Sequence, residues 1–186
     1  TKFESVPGPP GDPMTASSAP LIVLIGAPGA GKTTVGRGVA ARLDVDFLDT
    51  DAIVEQVAGK PVADIFICDG EQHFRTLEAH AVVEALNTHT GVLSLGGGAI
   101  MDPTTRSALV GHRVVWLNVG AADASKRVGM TGARPLLLGN AHSLLVSLLE
   151  QRLPLYEEAA TVRINTDGRP IDAVVDEVVS LLVEQA

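Results

Sequence analysis

The stretch Gly26-Ala27-Pro28-Gly29-Ala30-Gly31-Lys32-Thr33 decides how this chain is read. It fits G-x-x-x-x-G-K-[ST], a loop whose glycines bring backbone amides close to a polyphosphate while its Lys reaches the β and γ phosphates. The pattern carries weight only between a strand and a helix. Both neighbours are present. Leu21 to Ile25 is a continuous β-branched and Leu run, as in strands buried on both faces, and Thr33 to Leu43 carries Val35, Val39 and Leu43 at helical spacing. The positive end of that helix then faces the ligand's charge. Gly29, Ala30, Gly31, Lys32, Thr33 and Thr34 are therefore candidate ATP-binding residues, with the Thr33 hydroxyl a candidate Mg²⁺ ligand.

Outward from the loop, short apolar runs alternate with helical segments. Asp46 to Leu48 reads as a second strand, and Asp51 as the cap of a helix from Ala52 toward Ala58. Pro61 suits a first helical turn, Gly70 a stop, and Glu71 to Thr88 a longer helix with Phe74, Leu77, Ala81 and Leu86 inward. Val92 to Leu95 and Val114 to Val119 read as strands, the second with Trp116 in the core; Asp102-Pro103 opens a helix between them. Asp123 is placed to cap a helix to about Val128, and Ser143 to Tyr156 reads as helical until Pro154 disturbs its end. Thr161 to Asn165 is a last strand, and Ile171, Val174, Val175, Val178, Leu181 and Leu182 form one stripe on a final helix whose acidic face is expected to be solvated. Such alternation predicts an α/β fold with a parallel sheet covered on both faces.

Length and composition bound the rest. The chain has 186 residues, room for a single domain. Thr1 to Ala19, rich in Pro, Gly and Ser, reads as a disordered arm, with Met14 a candidate start and Thr1 to Pro13 then a foreign remnant; the folded domain is expected over 20–186. A net charge of −8 argues against nucleic-acid and anionic-membrane partners, and only 3% aromatic residues against a base-stacking platform. The longest apolar run, Ala19 to Ala27, is about half what a bilayer span needs. Cys68 is the one cysteine, so neither an intrachain disulfide nor a Cys-based zinc site is available, and a reducing, cytoplasmic setting fits. The histidines make no metal case: His73 and His80 stand two helical turns apart, without H-E-x-x-H.

A phosphate loop names a ligand, not a reaction. Asp49 and Asp51 follow the second strand, at the sheet edge where open α/β folds bind ligands; one is a candidate for holding magnesium and the other for meeting a hydroxyl. Gly96, Gly97 and Gly98 allow another close backbone approach, and Gly129, Gly132 and Gly139 bracket Arg134 and Pro135 as a closing lid would, over about 129–140. A guanine-reading segment is not found after the core strand, where Asn118-Val119-Gly120-Ala121 stands, which argues against a GTP switch. Other small-molecule kinases, acting on gluconate or a nucleoside monophosphate, and a non-catalytic nucleotide module remain the rivals.

Six stretches in order, GAPGAGKTT, LDTD, DGEQHFRTLE, LSLGGGA, RPLL and QRLPLY, resemble shikimate kinase, an ATP-dependent enzyme of aromatic amino-acid biosynthesis. The likeness spans essentially all of the chain beyond the arm. It implies the P-loop, three-layer α/β/α fold of nucleoside monophosphate kinases, a five-stranded parallel sheet in the order 2-3-1-4-5, and a mobile lid. It further implies that Lys32, Asp51 and Arg134 are catalytic, that Thr33 and Asp49 serve Mg²⁺, and that Asp51, Arg75, Arg152, Gly96, Gly97 and Gly98 bind shikimate. Arg127, Arg134 and Arg169 would complete the ATP site. The expected protein is a monomer that phosphorylates the shikimate 3-hydroxyl. The arginines suit that acceptor, since a guanidinium fork grips a carboxylate bidentately.

Overall fold

The strands expected from the apolar runs form one sheet in the computed structural model, which describes residues 18–130 and 140–184. They are β1 (Ile22–Ile25), β2 (Phe47–Asp49), β3 (Val92–Ser94), β4 (Val114–Asn118) and β5 (Val162–Asn165), all parallel, in the order β2-β3-β1-β4-β5. The helices are α1 (Lys32–Leu43), α2 (Thr50–Ala58), α3 (Val62–Cys68), α4 (Glu71–Thr88), α5 (Pro103–Leu109), α6 (Ala121–Met130), α7 (Asn140–Ala159) and α8 (Ile171–Val183). No helix among the described residues is long and apolar enough to cross a membrane.

Strand alternation sorts β1 between two cores, which is why its sequence is apolar throughout. Ile22 and Leu24 pack with Val35 and Val39 of α1 and Val174, Val175 and Val178 of α8. Val23 and Ile25 face the other way, toward Val82, Ala85 and Leu86 of α4, Leu109 of α5 and Tyr156 of α7. Trp116 lies in this second core, stacked on Tyr156 with ring centroids 5.6 Å apart. A smaller cluster of Val54, Ile65, Phe74 and Ala81 ties α2 and α3 to α4. Because β1 pairs with both β3 and β4, the loops leaving the carboxyl ends of these three strands share one crevice.

Three local expectations are corrected. Asp49, not Asp51, caps α2: its Oδ1 accepts from the Asp51 amide at 3.0 Å, so Thr50 and Asp51 already lie in the first turn. Pro154 sits inside α7, which runs on to Ala159. Its missing N–H costs one helical bond, while Tyr156 just beyond is held by Trp116 and by a hydrogen bond to Gly97 O at 2.7 Å. Asp123 lies in the first turn of α6 but accepts from Gly168 N across the cleft, at 2.8 Å. The acidic face of α8 is solvent-exposed as expected, and carries surface pairs of Asp176 with Arg42 of α1 and of Glu177 with Arg169 at 2.6 Å. Thr1 to Ser17 of the expected arm lie outside the described residues. So do 131–139, most of the expected lid with Gly132, Arg134 and Gly139; Gly129 belongs to α6 and residue 140 opens α7.

Candidate active site

The phosphate loop and the glycine triplet meet because β1 and β3 are neighbours. A methyl group at Gly97 would stand 2.9 Å from Pro28 of the loop. On the loop side, Lys32 opens α1 and curls back, donating to Gly26 O at 2.7 Å and Ala27 O at 3.1 Å. Burial lowers its ammonium to about 8, opposed by Asp49 and Asp51 and reinforced by Arg152. Asp49, Asp51 and Arg152 thus all lie within electrostatic reach of Lys32.

On the other side of the triplet the sequence-predicted acceptor residues converge. Arg75, one turn into α4, and Arg152, from the middle of α7, both reach the triplet: a methyl at Gly98 would lie 2.6 Å from Arg75 Nη1, and Arg152 donates to Gly97 O at 2.9 Å. Asp51 stands on the same wall. A methyl at Gly96 would lie 2.7 Å from Asp51 Oδ1 and 2.5 Å from Glu78 Oε1, so only glycine leaves these carboxylates room. Gly96 N is fixed in turn by the buried Thr50 hydroxyl, to which it donates at 3.0 Å.

Glu78, Thr50 and Tyr156 are the residues that sequence reasoning missed. Glu78 is one helical turn beyond Arg75, and its Oε2 accepts from Arg75 Nη1 at 2.6 Å with its side chain only 3% exposed. An acidic residue three positions after a candidate binding arginine was the available signal. Tyr156 follows Arg152 by one turn, and both donate to the Gly97 carbonyl. Each arginine is thus oriented by a buried neighbour.

The pocket is lined by buried polar groups. Burial lifts the Asp51 carboxyl to about 6, helped by the charges of Asp49 and Glu78 and opposed by Lys32. Burial likewise pushes Glu78 and the Tyr156 hydroxyl above their ordinary values, in both cases against the pull of nearby arginines. Among the described residues, Asp51 Oδ1, Arg75 Nε and Glu78 Oε1 are buried with no hydrogen-bond partner. Clustered orphaned groups of both signs mark a candidate ligand pocket.

A separate cleft of about 590 Å³ runs from the phosphate loop along α1. Gly29, Gly31, Lys32, Thr33 and Thr34 form one end, and Arg127, Val128, Arg169, Pro170 and Ile171 the other. Arg127 and Arg169, expected in the ATP site, line it but have protein partners: Arg127 donates to Gly29 O at 3.2 Å and Thr166 O at 2.8 Å, and Arg169 to Asn165 O at 3.0 Å. At the lip between cleft and pocket, the Thr33 hydroxyl donates to Asp49 Oδ2 at 3.1 Å. A hydroxyl beside a carboxylate fits Mg²⁺, which takes one or two protein oxygens and completes its shell with water and phosphate. No group of three or more His, Cys, Asp or Glu that could hold a metal occurs among the described residues.

A family model described as "Shikimate kinase" matches residues 28–183. The chain belongs to the shikimate kinase family. It is 61% identical over 150 residues to the shikimate kinase of Thermobifida fusca, covering 81% of this chain and 87% of that one. The shikimate kinase of Salinispora tropica is 55% identical over 164 residues, 88% of this chain and 98% of its own length. Among solved structures, the shikimate kinase from Acinetobacter baumannii in complex with shikimate superposes with a TM-score of 0.82 at 35% identity, covering 90% of this chain and 94% of that one. As a member of the shikimate kinase family the chain is a phosphotransferase.

Proposed function

We propose that the protein moves the γ-phosphoryl group of ATP to the 3-hydroxyl of shikimate, giving shikimate 3-phosphate and ADP, with the cleft holding ATP and the glycine-lined pocket holding shikimate. The observation that carries this reading is the convergence of Arg75 and Arg152, from two distant helices, on the triplet beside Asp51. Shikimate presents one carboxylate and three hydroxyls, and two guanidinium forks with a carboxylate between them answer that pattern. The bound shikimate in the Acinetobacter baumannii relative supports it.

The chemistry asks for alignment and charge neutralisation more than for covalent help. Asp51 orients the 3-hydroxyl and accepts its proton as the phosphorus–oxygen bond forms. Its raised affinity for a proton suits a group that is ionised at neutral pH yet strong enough as a base. Lys32 leaves its loop carbonyls to meet the phosphates; the backbone of Gly29 to Gly31 and the start of α1 hold the remaining charge. Thr33 and Asp49 would hold Mg²⁺, which supplies further charge neutralisation at the phosphate oxygens. Arg75 and Arg152 clamp the acceptor's carboxylate, and Glu78 and Tyr156 keep those arms in place. Arg134, in a lid over about 129–140, approaches the transferring group, and closure keeps water out. Residues from 20 onward work as one catalytic domain, a cytoplasmic monomer.

The test is ADP release by the purified protein with Mg²⁺-ATP, with and without shikimate, gluconate and nucleoside monophosphates. Shikimate alone is expected to raise the rate. Acceptor-dependent release with gluconate or a nucleoside monophosphate would transfer the pocket to that acceptor, and release indifferent to any acceptor would leave only a nucleotide binder.

A further inference from the structure

The two walls of the nucleotide cleft are joined by crossed contacts from residues that do not line it. Asp167, in the turn after β5, accepts a 2.8 Å hydrogen bond from Gly120 N at the head of α6. Asp123, in the first turn of α6, accepts a 2.8 Å bond from Gly168 N in that same turn. The partners are 47 and 45 residues apart in sequence, so neither bond is a local turn device. Each carboxylate caps the backbone of the opposite wall. The elements they join carry the far end of the cleft: Arg127 and Val128 on α6, and Arg169, Pro170 and Ile171 after β5.

The surrounding bonds follow the same direction. Thr166 donates to Asn118 O through both its amide, at 2.9 Å, and its hydroxyl, at 3.0 Å. Arg127 spans from Thr166 O to Gly29 O, carrying the connection into the phosphate loop. Gly120 is packed close enough that a methyl group there would lie 3.2 Å from Asp167 Oδ2. The spacing of the walls is thus set by Arg127 within the cleft and by Asp123, Thr166 and Asp167 outside it.

We propose that Asp123 and Asp167 are positioning residues for the nucleotide: their crossed caps fix the distance between α6 and the β5–α8 turn, and with it the width of the base-binding end. This rests on the reading of the cleft as the seat of ATP. A wall tethered beforehand loses less freedom when ligand arrives, so releasing the tether weakens nucleotide binding while the acceptor pocket, on the other side of the phosphate loop, is untouched.

Steady-state titration of each substrate at saturating levels of the other tests this. Asp167→Ala is expected to raise the KM for ATP about 5- to 20-fold, with kcat and the KM for shikimate within about twofold of wild type. Asp167→Asn keeps an oxygen acceptor for Gly120 N and restores the KM. Asp123→Ala resembles Asp167→Ala, and the double variant falls short of the product of the singles because both open one clamp. Should Asp167→Ala fail to fold, Gly120→Ala presses the turn outward with both carboxylates in place and also raises the KM for ATP. An unchanged KM for ATP, a parallel rise for both substrates, or an Asn variant as impaired as the Ala variant overturns the proposal. Lys32→Met separates the underlying reading: if turnover survives it, the cleft is not the nucleotide's seat and the clamp falls too. If turnover is lost while Asp167→Ala leaves the KM for ATP alone, the clamp falls by itself.

Discussion

On the phosphate side of the crevice the ligand-facing groups come from one unbroken stretch, Gly26 to Thr34, and are largely backbone. On the acceptor side they are side chains from α2, α4 and α7 gathered around Gly96 to Gly98. A contiguous loop moves as a unit and depends little on any one side chain other than Lys32. The acceptor pocket depends on buried charges that hold each other in place, so a single change there disturbs several groups. Electrostatics differ in the same sense: Lys32 can shed its two carbonyl bonds for phosphate, whereas Glu78 and Arg75 are already paired and await a ligand only at their remaining atoms.

The largest effect that sharpens this contrast is expected from Asp51→Asn, with turnover falling roughly 10²- to 10⁴-fold and ATP affinity little changed, read by initial rates and nucleotide titration. Near-wild-type turnover would remove Asp51 from the mechanism. Next comes Gly98→Ala, whose methyl would stand 2.6 Å from both terminal nitrogens of Arg75. It is expected to cut kcat/KM for shikimate by about 10² through displacement of that guanidinium, with KM for ATP preserved. Equal losses for both substrates would mean that the two sides are not independent. Arg152→Ala should raise the KM for shikimate about tenfold or somewhat more, the scale of one charge-assisted hydrogen bond. An effect confined to ATP would break the assignment.

The smallest expected effects concern the buried carboxyls. Asp51 in the folded protein titrates near 6, above its ordinary 3.8. Between those values the folded state holds a proton that the unfolded chain has released, so this group's contribution to stability falls as pH rises through the window. Asp51→Asn should therefore raise Tm at pH 7, by about 2–4 °C, even as it destroys activity. A lowered Tm at neutral pH would contradict the burial of charge. In metal-free protein followed by carboxyl NMR, Glu78→Gln should move the Asp51 midpoint down from about 6, because one of the neighbouring negative charges is gone. No movement would mean that Glu78 acts on Arg75 alone.

Legibility followed the same division. The strand, loop and helix around Lys32 were readable because the chemistry is carried by neighbours in sequence, and Glu71–Thr88 emerged with the bounds its pattern gave. Apart from the one-turn shift of the α2 cap, the errors fell where a side chain chose a distant partner over a local one. Asp123 has the look of a helix cap and instead bonds Gly168; Pro154 has the look of a stop and is overruled by the anchoring of Tyr156. Glu78 and Tyr156 were passed over because an acid on a helix and an aromatic after an apolar run are ordinary features until their partners are known.

The sequence by itself determined the phosphate-binding chemistry, the alternating α/β plan and the family, because local spacing and apolar periodicity are properties of the chain before it folds. Only the tertiary structure decided that two arginines 77 residues apart in sequence meet at one glycine-lined wall, that Glu78 and Tyr156 brace them, and that Asp123 and Asp167 cross-link the head of α6 to the turn after β5. Those facts depend on strand order, which sets β3 and β4 on either side of β1 and so chooses which loops become neighbours.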